Sequence, residues 1–430
     1  MDLDKKLFFL YLFSLLLIKL FPVYIFIESR FFTTHSLSKI ILILIFIILV
    51  FIKKEDCKLL LTKNSIFHFF IFFFITQTLS IIKSNNLLLF LKDFQNLLSF
   101  FVITFLSVYF LRKKNFLYKT FYSIVYLGFF IVLLDLLFFL FFNKIIFFLQ
   151  NFIQKEVILN YQFNLMRNRY NLYLNSELFL PFFLLYFKTR KGKLTKTFSL
   201  IFIFILIFNT FASAFRHRLL LLIVVLTFLI RIKFRKKIVK NSLILVTLFL
   251  FFFFGFIFKN TTSVNIVDRT ILRDPADLSS IEGRIENFKL SINLFFYSPI
   301  FGIGLGNFQE YSKDLSKFYN FDKTRQFFYS ISSTDPHNII SKVLAETGII
   351  GLVGYVALIF KFFQNDFFSF SDKRVYNKEL LSAFIVGFWG LFILSLITPS
   401  ITIFRGGWMW FFRGVIETFY YKKKSNKLTQ

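Results

Sequence analysis

The chain alternates long apolar runs with short, lysine-rich polar breaks. Residues 40–52, "IILILIFIILVFI", contain no polar side chain at all. Runs of this length predict membrane-spanning helices rather than the core of a soluble domain. Twelve are predicted, at 7–27, 37–52, 65–82, 87–111, 119–142, 172–187, 197–215, 217–232, 239–258, 337–360, 379–398 and 407–421. Several are short, and 197–232 reads as a hairpin that barely crosses. The first run lacks the short apolar core and small-residue cleavage site of a removable leader, so it is expected to stay in the bilayer. The expected fold class is an all-α polytopic membrane protein.

The polar breaks are unequal. Residues 144–171 form a mid-length loop, in which "IIFFLQNFI" reads as an interfacial helix. Residues 259–336, between spans nine and ten, form one large loop on the outer side. It carries nine basic and nine acidic residues. A connection of that length is functional or disordered, and its apolar stretch "SINLFFYSPIFGIGLG" argues against disorder. The expected division is therefore 1–258 for spans one to nine, 259–336 for the loop, 337–421 for spans ten to twelve, and 422–430 for a basic cytoplasmic tail. The two halves show no repeat, which speaks against a transporter built from inverted repeats.

Charge fixes the orientation. The chain has a net charge of +29 and 57% hydrophobic residues, with 74 Phe. In a soluble protein such a charge would point to nucleic acid. Here the lysines and arginines sit in alternate breaks, at 5–6, 53–63, 112–119, 188–196, 231–240, 361–378 and 422–427. That is the positive-inside pattern, with both termini cytoplasmic. Membrane orientation absorbs the charge, and no nucleic-acid partner is expected. The single cysteine, Cys57, excludes a disulfide within the chain and a cysteine-based metal site.

The chemistry-bearing residues gather on the predicted outer side. In "STDPHNIISKVLAETGIIGLVGY", Asp335 is a good helix cap and Pro336 suits the first helical position. His337 and Asn338 would then stand in the first turn, near unpaired N–H groups and the positive end of the helix dipole. That setting favours a phosphate and disfavours imidazolium, leaving a neutral histidine able to accept a proton. Read locally, the same turn is also a plain cap with its histidine in the interface. Lys342 and Glu346 share one helix face and are expected to pair. Gly348, Gly351 and Gly354 recur every third residue, as a helix-packing stripe does.

Upstream, Arg284 opens an amphipathic segment whose Ile285, Phe288, Ile292 and Phe295 fall at helical spacing. Gly302, Gly304 and Gly306 then shape a tight turn, and a lone glycine run of this kind is weak evidence for phosphate binding. In "NTFASAFRHRLL", Arg216 and Arg218 flank His217 on the outer side, where the charge rule does not expect them. Arginine is the residue type for bidentate phosphate recognition. Arg167 and Arg169 in "MRNRYN" form a second outer basic patch. The four histidines have no metal-ligand spacing. The one Asp-x-Asp, Asp2-Leu3-Asp4, lies at a cytoplasmic end, so no metal or cofactor is expected.

The order of these motifs carries a likeness. "SAFRHR", the "GR" opening a large outer loop, "SPIFGIGLGNF" and "PHNIISKVLAETGIIGLVGY" together resemble the O-antigen ligase and O-antigen polymerase superfamily of bacterial envelope glycosyltransferases. The resemblance spans roughly residues 200–360 in motif detail. It implies a metal-independent, inverting enzyme of the bacterial inner membrane with its site facing the periplasm. The donor would be a glycan on undecaprenyl pyrophosphate, and the acceptor a sugar hydroxyl of a lipid A core or a growing glycan. Carried over by motif, Arg216 and Arg284 would hold the pyrophosphate and His337 would act as base or place the acceptor hydroxyl. Phe215 stands where the family has a serine or small residue, so Arg216 and Arg218 compete for that role. Asn338, Glu346 and Arg169 are supporting candidates. Ligase and repeat-unit polymerase need the same donor site, so both readings stand. A lipid-glycan flippase or a non-catalytic scaffold are the readings from other classes.

Overall fold

The computed structural model of the chain describes residues 3–19, 34–149, 176–189, 192–212, 218–219, 221–223, 225–226, 275–313, 336, 338–371, 377–396 and 403–428. Among the described residues the regular structure is helical and no strand occurs. The helices are α1 (Leu3–Lys19), α2 (Thr34–Ile52), α3 (Lys54–Lys63), α4 (Ser65–Thr78), α5 (Leu87–Leu111), α6 (Lys114–Leu149), α7 (Leu180–Thr189), α8 (Lys193–Ala212), α9 (Pro275–Tyr297), α10 (Phe308–Lys313), α11 (Ile339–Ser371), α12 (Lys378–Ser395) and α13 (Ile403–Leu428). Among the described residues five stretches are long and apolar enough to cross a membrane: Ser65–Lys83, Leu87–Leu111, Asn115–Leu137, Ile339–Asp366 and Lys378–Ser395. The shorter apolar helices Leu37–Ile52 and Leu194–Thr210 stand at two further predicted spans. This is a multi-pass membrane protein. Predicted span 239–258, most of 217–232, and loop segments 259–274 and 314–335 lie outside the described residues.

Helix starts are set by asparagine. Asn64 Oδ1 accepts from Ile66 N, Asn86 Oδ1 from Leu88 and Leu89 N, Asn338 Oδ1 from Ile340 and Ser341 N, and Asn377 Oδ1 from Leu380 N. In each case a side-chain oxygen satisfies N–H groups that the first helical turn leaves without a partner. One boundary differs from expectation. α6 continues to Leu149 past a bend at Phe141 (φ −124°, ψ 26°), so residues 145–149 of the predicted interfacial helix are helical and follow that bend.

The described chain forms two compact units. The first contains α1, α6, α7, α8 and most of α12. Phe8 stacks on Phe116 with ring centres 4.3 Å apart, and Lys113 Nζ bonds Asp4 Oδ2 at 2.5 Å. Lys188 pairs with Glu379. Each of these two ion pairs joins segments that the loop charges put on the cytoplasmic side. Deeper in, Phe129 packs on Phe183 at 4.7 Å and on Phe202 at 4.6 Å. Asn209 Nδ2 donates to Val132 O at 3.0 Å.

The second unit contains α3, α4, α10, α11 and α13, with most of α5 and α9. α4 lies close along α11. Gln77 Nε2 donates to Gly351 O at 3.0 Å, and a Cβ on Gly354 would fall 2.0 Å from Thr76 Oγ1. The expected glycine packing stripe is thus present at Gly351 and Gly354. Phe70 and Trp410, 5.1 Å apart, carry the packing on to α13. On α13, fully buried Arg413 binds both oxygens of Asp366 at 3.0 and 2.9 Å and also pairs with Glu417. Its guanidinium lies 4.4 Å from the centre of the Phe362 ring. Arg413→Ala would leave two carboxylates buried without their cation. The expected loss is about 3–5 kcal/mol, read as a lowered unfolding midpoint of the purified protein in detergent.

Candidate functional site

In the second unit the residues after α9 form the glycine turn. α9 ends at Tyr297, and residues 298–307 fold into a turn, buried from Gly302 onward, in which Gly302, Gly304 and Gly306 have φ of 68°, 98° and 79°. This turn docks into a break in α11. At Gly348 (φ 62°, ψ −161°) the helix loses its regular geometry. In an unbroken helix, Ile349 N and Ile350 N would bond Ala345 O and Glu346 O. Instead Ile349 N donates to Pro299 O at 2.9 Å and Ile350 N to Ile300 O at 3.4 Å. Ala345 O and Glu346 O accept from Ile303 N at 3.0 Å and Gly304 N at 2.9 Å. Two internal helix bonds are replaced by four bonds to the loop. A broken helix at membrane depth is tolerated where protein satisfies the freed groups, as here. Gly348 is therefore a break point and not part of the packing stripe that its spacing suggests.

The rest of the turn is equally engaged. Gly302 N donates to Ser298 O, Leu305 N to Ser80 Oγ, Asn307 N to Gly304 O and Phe308 N to Glu346 Oε1. These N–H groups are spent on the protein, so the turn is a latch and not a phosphate cradle. Leu290 and Leu294 of α9 close over it with Ile303, Phe308 and Ala345. The buried face of α9 is Asn287, Leu290, Ser291 and Leu294, whereas Ile285 and Phe288 are half exposed. The helix forms where the 3.6-residue pattern predicts it. Two positions of that face, Leu290 and Leu294, pack on Ile303 and Phe308 of the latch and Ala345 of α11.

A polar network ties this latch to the Ser84–Asn86 turn ahead of α5. Asn307 is fully buried: its Oδ1 accepts from Asn86 N at 3.0 Å and its Nδ2 donates to Ser84 Oγ at 2.7 Å. Asn86 Nδ2 donates to Glu310 Oε1 at 2.5 Å, and Asn85 Nδ2 to Tyr311 OH at 2.9 Å. Burial pushes the Tyr311 phenol up, with Tyr297 and Glu310 adding to the effect, so the hydroxyl stays neutral across physiological pH. Asn307→Ala leaves Asn86 N and Ser84 Oγ without these partners. The expected cost is about 2–4 kcal/mol, measured as a drop in the unfolding midpoint. Asn307→Asp should recover part of it, because one oxygen still accepts from Asn86 N.

The start of α11 differs from the sequence expectation. The helix begins at Ile339 and Asn338 is the cap, in place of Asp335 and Pro336. Asn338 caps as well as aspartate does, and the apolar pair Ile339 and Ile340 follows it directly. Because Ile340 and Ser341 N–H already bond Asn338, the bare helix start offers an anion less than expected. One turn further in, buried Lys342 bonds Asp93 Oδ2 of α5 at 3.1 Å and lies 3.8 Å from Glu346 Oε1. The expected Lys342–Glu346 pair is present, with Asp93 as the closer partner. Asp93 escaped the sequence reading, although a lone acid in the predicted span 87–111 is the signal that could have found it.

His337, Arg216 and Arg169 lie outside the described residues. Arg284 has helical backbone within α9, and its side chain lies outside what is described. Arg218 is placed in the first unit. It is 1% exposed, with Nε on Glu177 Oε1 at 2.6 Å and Nη2 on Asp135 Oδ2 at 2.8 Å and Ser176 Oγ at 2.6 Å. Its polar face is thus turned to protein carboxylates.

No curated protein and no solved structure matches the chain. A family model described as O-Antigen ligase matches residues 198–356. That segment holds Arg216, Arg218, Arg284, His337, Asn338 and Glu346 and leaves out Arg169. It also contains the glycine turn and the α11 break on which that turn is latched. Over this segment the chain is similar to the O-antigen ligase family.

Proposed function

We propose that this protein is an inner-membrane glycosyltransferase of the O-antigen ligase type. It moves a glycan from undecaprenyl pyrophosphate to a sugar hydroxyl on the periplasmic side. The observation that supports this most is the latch. It fastens the helix that bears Arg284 to the helix that follows His337, through bonds between Ala345, Glu346 and the glycine turn. A fixed spacing between a phosphate-binding arginine and a base is what an in-line transfer needs.

The chemistry follows from the residue types. The acceptor oxygen attacks the anomeric carbon of the donor, and the bond from that carbon to the pyrophosphate oxygen breaks. The configuration at that carbon inverts. Pyrophosphate is a good leaving group, so its departure needs charge stabilisation more than acid help. Arg284 and Arg216 supply it, as charge builds on the phosphate oxygens in the transition state. Arg218 is committed to Asp135 and Glu177, which favours Arg216 as the donor-binding guanidinium of its segment. His337 directly precedes the cap of α11, near the positive end of the helix dipole, which favours neutral imidazole. It takes the proton from the attacking hydroxyl. Asn338 and Glu346 support the site through the cap and the latch.

The test is the surface-glycan profile of cells that carry only Arg284→Ala, at confirmed membrane levels of the protein. Loss of transfer is expected. Long chains stranded on the lipid carrier mark a ligase, and single repeat units mark a polymerase. A normal profile would contradict the donor-site role of Arg284.

A further inference from the structure

The second unit carries an open apolar cleft between α4 and α5. Its volume is about 490 Å³, and it runs from Ile71 to Ile82 along one wall, with Leu98 and Phe101 on the other. Both walls belong to stretches long and apolar enough to cross a membrane. Phe74 and Phe101 line it edge to face, with ring centres 5.8 Å apart. Thr78 is the polar lining residue, and its hydroxyl is spent on Phe74 O at 2.8 Å. The cleft therefore suits a hydrocarbon. Helical rise puts Ile71 and Ile82 about 18 Å apart, which suits a long chain better than a compact ligand.

The cleft is continuous with the latch. Its outer end is the 3₁₀ turn Leu79–Lys83, which has two faces. Ser80 is fully buried and its Oγ accepts from Leu305 N of the glycine turn at 3.2 Å. Leu79, Ile81 and Ile82 are exposed and line the cleft. The residues that follow, Ser84 and Asn86, bond Asn307. Lys83 is exposed and stands directly after Ile82. The loop charges put this break on the outer side, where the positive-inside rule does not expect a lysine. An apolar channel that ends beside a cation at the edge of a span matches a lipid with an anionic head.

We propose that this cleft holds the polyprenyl tail of the donor lipid, with its pyrophosphate end toward the latch. This rests on the donor reading above. Bilayer acyl chains are as apolar as the walls of the cleft, so hydrophobicity alone does not select the donor. Selection comes from fit, as the methyl branches of an isoprenoid pack against the Phe74 and Phe101 rings and the branched isoleucines. The tail site thus lies on the same turn that Ser80 fastens to the latch.

The experiment uses full-length protein in phospholipid nanodiscs and two probes. These are undecaprenyl pyrophosphate and dimethylallyl pyrophosphate, which has the same head and a tail too short for the cleft. Ile75→Trp and Leu98→Trp fill the cleft from its two walls. Each should weaken undecaprenyl pyrophosphate binding by about tenfold, the effect of roughly ten lost atom contacts. Neither should change dimethylallyl pyrophosphate binding or the unfolding midpoint. Phe72→Trp, on α4 outside the cleft, should change nothing. Undecaprenyl pyrophosphate with a diazirine in its tail should label residues 71–82 or 98–101 of the parent, and excess unlabelled undecaprenyl pyrophosphate should abolish the labelling. A parent that binds the long lipid, with both cleft-filling variants binding it equally well, would overturn the role of the cleft alone. Equal loss of both probes would also overturn it. Labelling that survives the excess would make the cleft a place for bilayer lipid and overturn it too. A folded parent that does not bind undecaprenyl pyrophosphate would overturn the donor reading, and the cleft's role with it.

Discussion

Replacing His337 with alanine is expected to lower glycan transfer by about 10²- to 10⁴-fold while the protein reaches the membrane at its normal level. The size follows from the role. A general base that takes the acceptor proton in the transition state contributes that much, and alanine cannot replace it. The protein level should hold because the cap of α11 belongs to Asn338, whose oxygen bonds Ile340 and Ser341 N. The two roles can therefore be separated. Asn338→Ala should cost about 1 kcal/mol of stability, whereas His337→Ala should cost turnover. His337→Gln, which can hydrogen-bond the hydroxyl but not take its proton at neutral pH, separates positioning from base catalysis. Near-normal transfer by His337→Gln would reduce His337 to placing the acceptor. Transfer is measured as labelled acceptor formed per mole of purified enzyme.

The largest stability effect is expected at Gly348. Its φ of 62° with ψ of −161° lies in a region that only glycine occupies readily. A Cβ there would fall 2.4 Å from Ile300 O and 2.7 Å from Gly302 N, both backbone atoms of the latch. Neither can move without giving up the bonds that satisfy the broken helix. Gly348→Ala should cost at least about 3 kcal/mol and strip the protein from the membrane fraction. Gly390→Ala is the matched control, because its Cβ would meet only side-chain methyl groups, of Leu221 at 3.1 Å and of Val225 at 3.6 Å. It is expected to stay within about 1 kcal/mol of the parent. Similar losses in both variants would mean that any added methyl between these helices is harmful and that the latch has no special standing.

Much of the architecture was legible in the chain. Apolar runs gave the helices, and loop charges put Asp4 with Lys113 and Lys188 with Glu379 on common sides, where these pairs are found to bond. The glycine run read correctly as a turn. What escaped depends on partners remote in sequence. The break at Gly348 exists because residues 299–304 fill it, and glycine spacing alone cannot tell a break from a packing stripe. Asp335 and Asn338 are equally good caps by residue type, and the docking of α11 selects between them. The face of α9 was placed by its apolar residues, yet Asn287 and Ser291 are buried and Phe288 is half exposed. Asp135, Glu177, Asp366 and Arg413 each interrupt an apolar run, which flags them individually. Nothing along the chain tells which cation each acid meets, since the partners of Arg218 lie 83 and 41 residues away.

The proposed reaction is transfer of a glycan from a lipid pyrophosphate. The most direct test places the purified protein in nanodiscs with an undecaprenyl-pyrophosphate-linked oligosaccharide and a sugar acceptor. Free undecaprenyl pyrophosphate and glycosylated acceptor are then quantified together by mass spectrometry. One lipid pyrophosphate is expected to be released for each new glycosidic bond, with both products lost in the Arg284→Ala and His337→Ala variants. Intact donor and unmodified acceptor, from a folded protein that binds the donor, would contradict it.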